Sequence, residues 1–361
     1  MTVTLDERHR QILFAVVTEY IASGKAVSSR RIAKRYAVKL SPATIRNVLA
    51  DLEDAELLHQ PHTSAGRLPT DAGFRCFVDA MANASEISVA HRRALIRRLQ
   101  NLEPGADAVR ETGQLLSRLT GTATIIAQPP VAESTLDQLR FMRLSGGRTL
   151  AVLVTRSGAV ENRVVVTEID VDDHALERVN NYLAELVGGR TLQAVRDMLA
   201  VRLATEQGQY EELRKQTQQM VEATVEGRLE RAQVVIEGQG VLFDRPEFGD
   251  AEKIRRYLSA FEEKRKLLEL LEQTLQTDGV QVFIGSEAAL DDVGDISVIS
   301  SPYRLDGARI GSFGLVGPTR MDYRKYVPLV GFAADVLSDV LDGRLPGTSR
   351  SAWRKTDRQN E

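Results

Sequence analysis

The chain has 361 residues, 43% of them apolar and 27% charged, with a formal charge of −3. At roughly 150 residues per domain this predicts two or three ordinary globular domains, and it excludes a protein basic enough throughout to coat nucleic acid by charge alone. A single cysteine, Cys76, excludes a disulfide framework, and no Cys/His cluster has zinc-ligand spacing. Met1 to Gln11 is charged where a signal peptide would be apolar, and no apolar run approaches the roughly 20 residues that span a bilayer. A cytoplasmic protein is the expectation.

The charge is unevenly placed. Residues 1–85 carry 11 basic and 9 acidic side chains, the remainder 36 and 41. Between Tyr20 and Ala50 lie seven basic residues (Lys25, Arg30, Arg31, Lys34, Arg35, Lys39, Arg46) and no acidic one, and Asp51, Glu53, Asp54 and Glu56 follow at once. A basic block in a small helical module is an electrostatic footprint for phosphate, although a solvated helix face has the same composition.

In chain order, apolar residues at 12, 13, 16, 17, 20 and 21 mark one face of a helix over 5–23, with Gly24 as its stop. Ser28 or Ser29 caps a short helix through Tyr36. Ser41-Pro42 opens a third helix, buried through Ile45, Val48, Leu49 and Leu52, which leaves Ala43, Thr44, Arg46, Asn47 and Ala50 outside. Three short helices with a polar start to the third make a helix-turn-helix. Leu57 to His62 and Leu68 to Thr70 read as strands about a small-residue turn, a wing, and a helix follows to about Ala82. Residues 86–121 read as a helical connector.

From Thr122 the pattern turns to strands at 123–127, 139–144, 150–155 and 160–168, then helices near 172–187 and 191–202. Two long helices, 205–231 and 250–276, flank a short glycine-containing segment. The second carries Ile254, Leu258, Phe261, Leu268 and Leu271 at roughly heptad spacing, either a core face or a partner interface. Strands resume at 280–284, 296–300 and 309–316, and a final helix runs from about Tyr323 to Leu341. The polar tail from about 346 is expected to be disordered. The fold class is α+β and multidomain: a winged helix over 1–85, the connector over 86–121, and a mixed domain over 122–204 and 277–345 interrupted by an inserted helical block over 205–276.

Three stretches are specific. Ser41-Pro42-Ala43-Thr44-Ile45-Arg46-Asn47, Pro61-His62-Thr63-Ser64-Ala65-Gly66-Arg67 with Pro69-Thr70, and the distal Ile284-Gly285-Ser286-Glu287, Ser301-Pro302-Tyr303 and Gly317-Pro318-Thr319-Arg320-Met321-Asp322-Tyr323 closely resemble the HrcA family of heat-inducible transcription repressors. The resemblance covers about 5–345. It implies a homodimeric repressor of chaperone (heat-shock) operons, an inverted-repeat operator, activity dependent on the chaperonin, and a GAF-like domain interrupted by an inserted dimerising domain. Some positions depart from the family pattern. Ala26 and Ser28 replace Pro and Gly, Ala288 replaces Asn, and Glu56 replaces the glycine that supplies a left-handed cap, so a remodelled end is expected for the third helix.

Arginine can bond guanine O6 and N7 together, and asparagine adenine N6 and N7, so Arg46 and Asn47 are the candidate base readers. Ser41 and Thr44 are candidates for phosphate, with Arg30, Arg31, Lys34 and Lys39 as backbone contacts. In the wing, His62, Thr63, Ser64 and Arg67 are candidates, with Gly66 permitting a tight turn and Arg67 projecting a cation unless it pairs with Asp71. The stripe Ile254, Leu258, Phe261, Leu268 and Leu271 is the candidate dimer interface. No catalytic constellation, metal site or cofactor is expected. His59 and His62 do not make a metal site, Cys76 reads as an inert thiol, and the glycines of 311–317 lack dinucleotide-loop spacing. The alternative function is a winged-helix regulator that senses a metabolite through its GAF-like domain.

Overall fold

The structure is a computed structural model that describes residues 5–36, 40–62, 65–81, 87–128, 134–144, 148–156, 158, 160–166, 172–205, 211–226, 233–242, 251–290 and 295–346. The chain begins with α1 (Glu7–Ser23), α2 (Ser29–Arg35) and α3 (Pro42–Asp54), then β1 (Leu58–His59), β2 (Leu68–Pro69) and α4 (Asp71–Met81). Each of the first three helices starts on a side-chain cap. Asp6 accepts from His9 N, Ser28 from Arg31 N and Ser41 from Thr44 N, satisfying amides that have no partner inside the helix. Ile12, Val16, Ile32, Ile45, Leu49 and Leu52 close a small core, and Phe74 and Phe77 of α4 extend it.

After α5 (Val89–Leu99), α6 (Ala106–Thr120) and β3 (Ala123–Gln128), the chain builds β4 (Thr135–Arg143), β5 (Arg148–Thr155), β6 (Val160–Val166), α7 (Asp173–Val187), β7 (Arg190–Thr191), α8 (Leu192–Thr205) and α9 (Glu211–Glu226). It continues through β8 (Gln233–Glu237), a short α10 (Gln239–Leu242), α11 (Ala251–Glu262), α12 (Lys264–Leu275), β9 (Gln281–Ile284), a 3₁₀ turn (Gly285–Ala288), β10 (Ile296–Leu305), β11 (Ala308–Pro318) and α13 (Tyr323–Leu341).

The strands beyond the head form two separate sheets. One has the order β8-β3-β11-β10-β9, with all neighbours antiparallel. Alternation along its strands gives it two apolar faces. Ile126, Ile299, Phe313 and Leu315 face α5, α6 and α13, while Ile125, Val298 and Val316 face α11 and α12. The other sheet has the order β6-β5-β4-β7 and buries Leu139, Phe141, Ala151, Leu153 and Val165 under α7, α8 and α9.

This partition corrects three expectations. The block over 205–276 is not one unit, because α9 belongs to the second sheet while β8, α11 and α12 belong to the first. Residues 122–204 are likewise divided, since only β3 joins the five-stranded sheet. The connector over 86–121 is a packed layer, with Leu95, Leu99, Val109 and Leu116 in the same core as α13. Periodicity identifies a strand or an amphipathic helix but not the sheet it joins. The stripe expected at a dimer interface also faces inward. Phe261 and Leu271 are buried against the five-stranded sheet, Ile254 and Leu268 pack at the edge of the same cluster, and only Leu258 is exposed. Spacing of this kind serves a helix lying on a sheet as well as a coiled coil.

The N-terminal head is seated on the body through α4. The Phe74 ring lies 6.0 Å from that of Tyr323, and Arg324 covers Phe77. Asp71 Oδ2 accepts from both the amide and the hydroxyl of Ser286 at 2.9 Å. Arg75 donates to both carboxylate oxygens of Glu287 and to Val282 O. Arg320 donates to Ile21 O at 3.2 Å. A cavity of about 350 Å³ lies beside this joint, lined by Thr18, Ile21, Ala22, Phe77, Arg320, Asp322, Arg324 and Tyr326.

One carboxyl in the body works against stability. Asp335 lies within α13 one turn before the fully buried Asp339. Burial, and then the Asp339 charge, raise its pKa to about 6 despite the opposing pull of Arg304. A raised carboxyl pKa favours the folded state when protonated, so this contribution is complete below pH ~4 and is lost as pH rises through ~6. Asp335→Asn should therefore raise the melting temperature at pH 7.5, by up to about 3 kcal/mol of stability, and change it little at pH 4. Thermal melts of the two proteins across that range measure the difference.

Candidate nucleic-acid interface

The third helix has the polarity the residue order predicts. Ser41 Oγ accepts from Thr44 N at 3.1 Å and lies 3.0 Å from Thr44 Oγ1, so both hydroxyls close the helix start. Pro42 occupies the first turn, where its missing N–H costs nothing. Ile45, Val48, Leu49 and Leu52 are buried, which turns Arg46 and Asn47 to solvent in the first half of the helix. Among the described residues, neither side chain has a hydrogen bond or ion-pair partner. A guanidinium and a carboxamide thus stand adjacent and unspent on the helix surface.

The cations of α2 divide into two pairs. Arg30 and Lys34 are exposed, with no ion pair among the described residues. Arg31 and Arg35 instead converge on Glu19, whose side chain is fully buried on α1, at 2.5 and 3.0 Å. The Tyr36 hydroxyl donates to the same carboxylate at 3.3 Å. Arg31 is thus engaged within the head as well as partly exposed, and one carboxylate against two guanidiniums leaves this cluster a net positive charge. Glu19 is the residue that sequence reasoning passed over. Its signal is a single carboxylate on the inward side of α1, opposite a run of bases. Removing it would leave buried space facing two unpaired guanidiniums.

The β1–β2 hairpin, the expected wing, is held more tightly than the sequence suggests. Arg67 N and O both bond Val27 at 2.9 Å, so Val27 adds a third rung beside β1 and β2. Gly66 is required here by proximity, not by a turn: a Cβ would lie 2.4 Å from the Val27 backbone. Arg67 Nη2 meets Glu53 Oε2 at 2.7 Å, and its side chain is only 18% exposed. Arg67 therefore braces the hairpin against α3. It neither projects as a free cation nor pairs with Asp71. His62 is exposed, and its carbonyl accepts from Ala65 N at 2.8 Å. Lys39, Thr63 and Ser64 lie outside the described residues.

The acidic end of α3 is partly neutralised. Glu53 is held by Arg67, and Asp51 lies 3.3 Å from His9 Nε2. The Asp6 carboxylate, and then Asp51, raise the His9 pKa against the effect of burial. The helix end itself is not remodelled. Glu56 takes the left-handed φ of 59° that glycine would supply, and Leu57 N still reaches Leu52 O at 3.0 Å. The chain takes this left-handed position without a glycine and accepts the steric cost of a Cβ there.

Comparison with known proteins fits this geometry. A family model described as the HrcA protein C terminal domain matches residues 106–327. The heat-inducible transcription repressor HrcA of Sorangium cellulosum is 43% identical over 339 residues, covering 93% of this chain and 98% of that protein. The chain belongs to the HrcA family of heat-inducible transcription repressors. The HrcA protein of Syntrophobacter fumaroxidans is 36% identical over 340 residues, covering 94% of this chain and 98% of its own. A solved structure described as a hypothetical protein at 2.2 Å resolution shares the fold, with a TM-score of 0.62 at 25% identity, over 94% of this chain and 99% of that one. Membership places the chain among transcription repressors, which are not enzymes. Among the described residues, no helix is long and apolar enough to cross a membrane.

The left-handed position of Glu56 gives a direct test. Glu56→Gly relieves the Cβ at a positive φ and should stabilise the head by roughly 1 kcal/mol. An increase in the melting temperature, with DNA affinity unchanged, is the expected outcome.

Proposed function

We propose that the protein represses chaperone operons as a homodimer, each protomer applying a winged helix-turn-helix to one half of an inverted-repeat operator. The observation that carries this reading is the presentation of Arg46 and Asn47. They stand at the N-terminal half of a capped helix, where a recognition helix meets base edges. The α3 amides and the exposed Arg30 and Lys34 supply backbone contacts, and Ser41 and Thr44 hold the helix start from which those amides point. The acidic half of α3 is turned away from phosphate. The three-layer body is read as the family's GAF-like domain.

The dimer interface is assigned to the outer face of the four-stranded sheet. Met142, Leu150, Val152, Val154, Val160 and Val164 lie there in register, with Leu150 opposite both Met142 and Val164, and Val154 opposite Val160. Met142, Val160 and Val164 are more than half exposed, and no described helix covers them. A sheet face that leaves this much apolar surface open to water, with Gln138, Arg140 and Asn162 between the apolar side chains, is a surface that a second copy covers at once by two-fold symmetry. Chaperonin dependence belongs to the same reading. Glu56 and Asp335 each reduce stability, and in a marginally stable protein a small loss changes the folded population severalfold.

Operator binding tests the reading. Arg46→Ala or Asn47→Ala should cost about 1–3 kcal/mol on the selected operator and relax preference at particular base pairs. Equal losses on operator and random DNA would instead make them phosphate contacts. Met142→Glu with Val164→Glu should give a monomer by light scattering with unchanged circular dichroism. Its operator affinity should fall at least about 100-fold while half-site binding stays constant. A persistent dimer would place the interface elsewhere. Heated repressor should regain operator binding when chaperonin is added, and recovery without it would remove the chaperonin from the reading.

A further inference from the structure

The distal motif Ile284-Gly285-Ser286-Glu287 lies far from the DNA-reading helix in sequence, and repression as described above gives it no task. In space it meets the head. Asp71, at the start of α4, receives both Ser286 donors, and Arg75, one turn later on the same helix, grips Glu287. Glu287 Oε2 also accepts from Ile284 N at 3.0 Å, which ties the guanidinium's partner to the body backbone. Gly285 takes a φ of 53°, and a Cβ there would lie 2.3 Å from the Asp71 carboxylate oxygens. The turn is shaped so that the head can approach this closely.

Two attachments at i and i+4 hold one helix face at two points. The ring contacts beneath them, Phe74 against Tyr323 and the Arg324 guanidinium over Phe77, resist separation but tolerate small rotations better than a bidentate clasp does. Hydrogen bonds to charged groups are directional and supply the angular constraint that those contacts lack. The clasp therefore fixes the angle at which α3 leaves the body. In a two-fold dimer that angle sets the separation and mutual orientation of the two recognition helices, and with them the half-site spacing that is bound.

We infer that Asp71, Arg75, Ser286 and Glu287 are positioning residues that set the operator spacing the repressor selects, without themselves touching DNA. This rests on the homodimer and inverted-repeat reading. The test uses full-length wild-type protein to select an inverted repeat from random DNA. Binding is then measured to that site, to versions with the spacer lengthened or shortened one base pair at a time, and to a single half-site. Wild-type protein should show a sharp optimum. Asp71→Ala with Arg75→Ala, and separately Gly285→Ala, should lower the peak at least about tenfold and broaden the profile while leaving half-site affinity unchanged. A wild-type spacing profile in the clasp variants, with or without uniform loss of affinity, overturns the inference and leaves the dimer reading standing. Wild-type protein that binds a half-site as tightly as the repeat overturns both.

Discussion

Tyr323 is the contact on which the two halves of the molecule depend. Its side chain is buried, and its hydroxyl donates to Thr319 O at 2.6 Å and lies 2.9 Å from Ser297 Oγ. The phenol is held neutral, because burial pushes its pKa well above the ordinary tyrosine value. One side chain thus fixes the start of α13, ties it to β10 and presents a ring to Phe74 of the head. Behind it, α13 buries most of its length against β10, α5 and α6. A head with its own small core would otherwise be free to drift, since domains joined by modest interfaces move by default.

The net charge of −3 is no obstacle to binding a polyanion, because recognition is decided locally. Glu19 offsets one of the two charges of Arg31 and Arg35, Arg67 offsets Glu53, and His9 faces Asp51. After these pairings the described charges left at large on α2 and the first half of α3 are cations. Buried or bridged ions spend their charge on holding the head in shape, and exposed ones remain available to phosphate. This second set, with the one charge left on the Arg31–Arg35–Glu19 cluster, should carry the salt dependence of DNA binding.

Local chemistry was legible in the sequence, and partnership was not. Ser28, Ser41 and Pro42 announced their helices because a capping hydroxyl and a fixed proline φ act within one turn. Tyr323 to Leu341 was legible from its apolar pattern alone. Arg67 was misjudged because a cation in a turn looks the same whether it projects or folds back on Glu53. Glu56 was misjudged because its left-handed backbone is imposed by Leu57 docking in the core, and tertiary packing overrode the preference of the residue. The stripe on α11 and α12 and the allocation of β4, β5 and β6 failed for one reason: amphipathic spacing reports that a face is covered but not by what.

The route of the chain through its two sheets has an evolutionary consequence. β3 ends at Gln128 and β8 begins at Gln233, and these residues face each other across an antiparallel ladder. Everything between them, from β4 to α9, leaves and re-enters the body through a gap only roughly 5 Å wide. A two-residue hairpin could bridge that gap without moving a strand. The five-stranded sheet does not need the intervening module in order to close. Such a module can be lost, lengthened or exchanged by a lineage at little cost to its host domain.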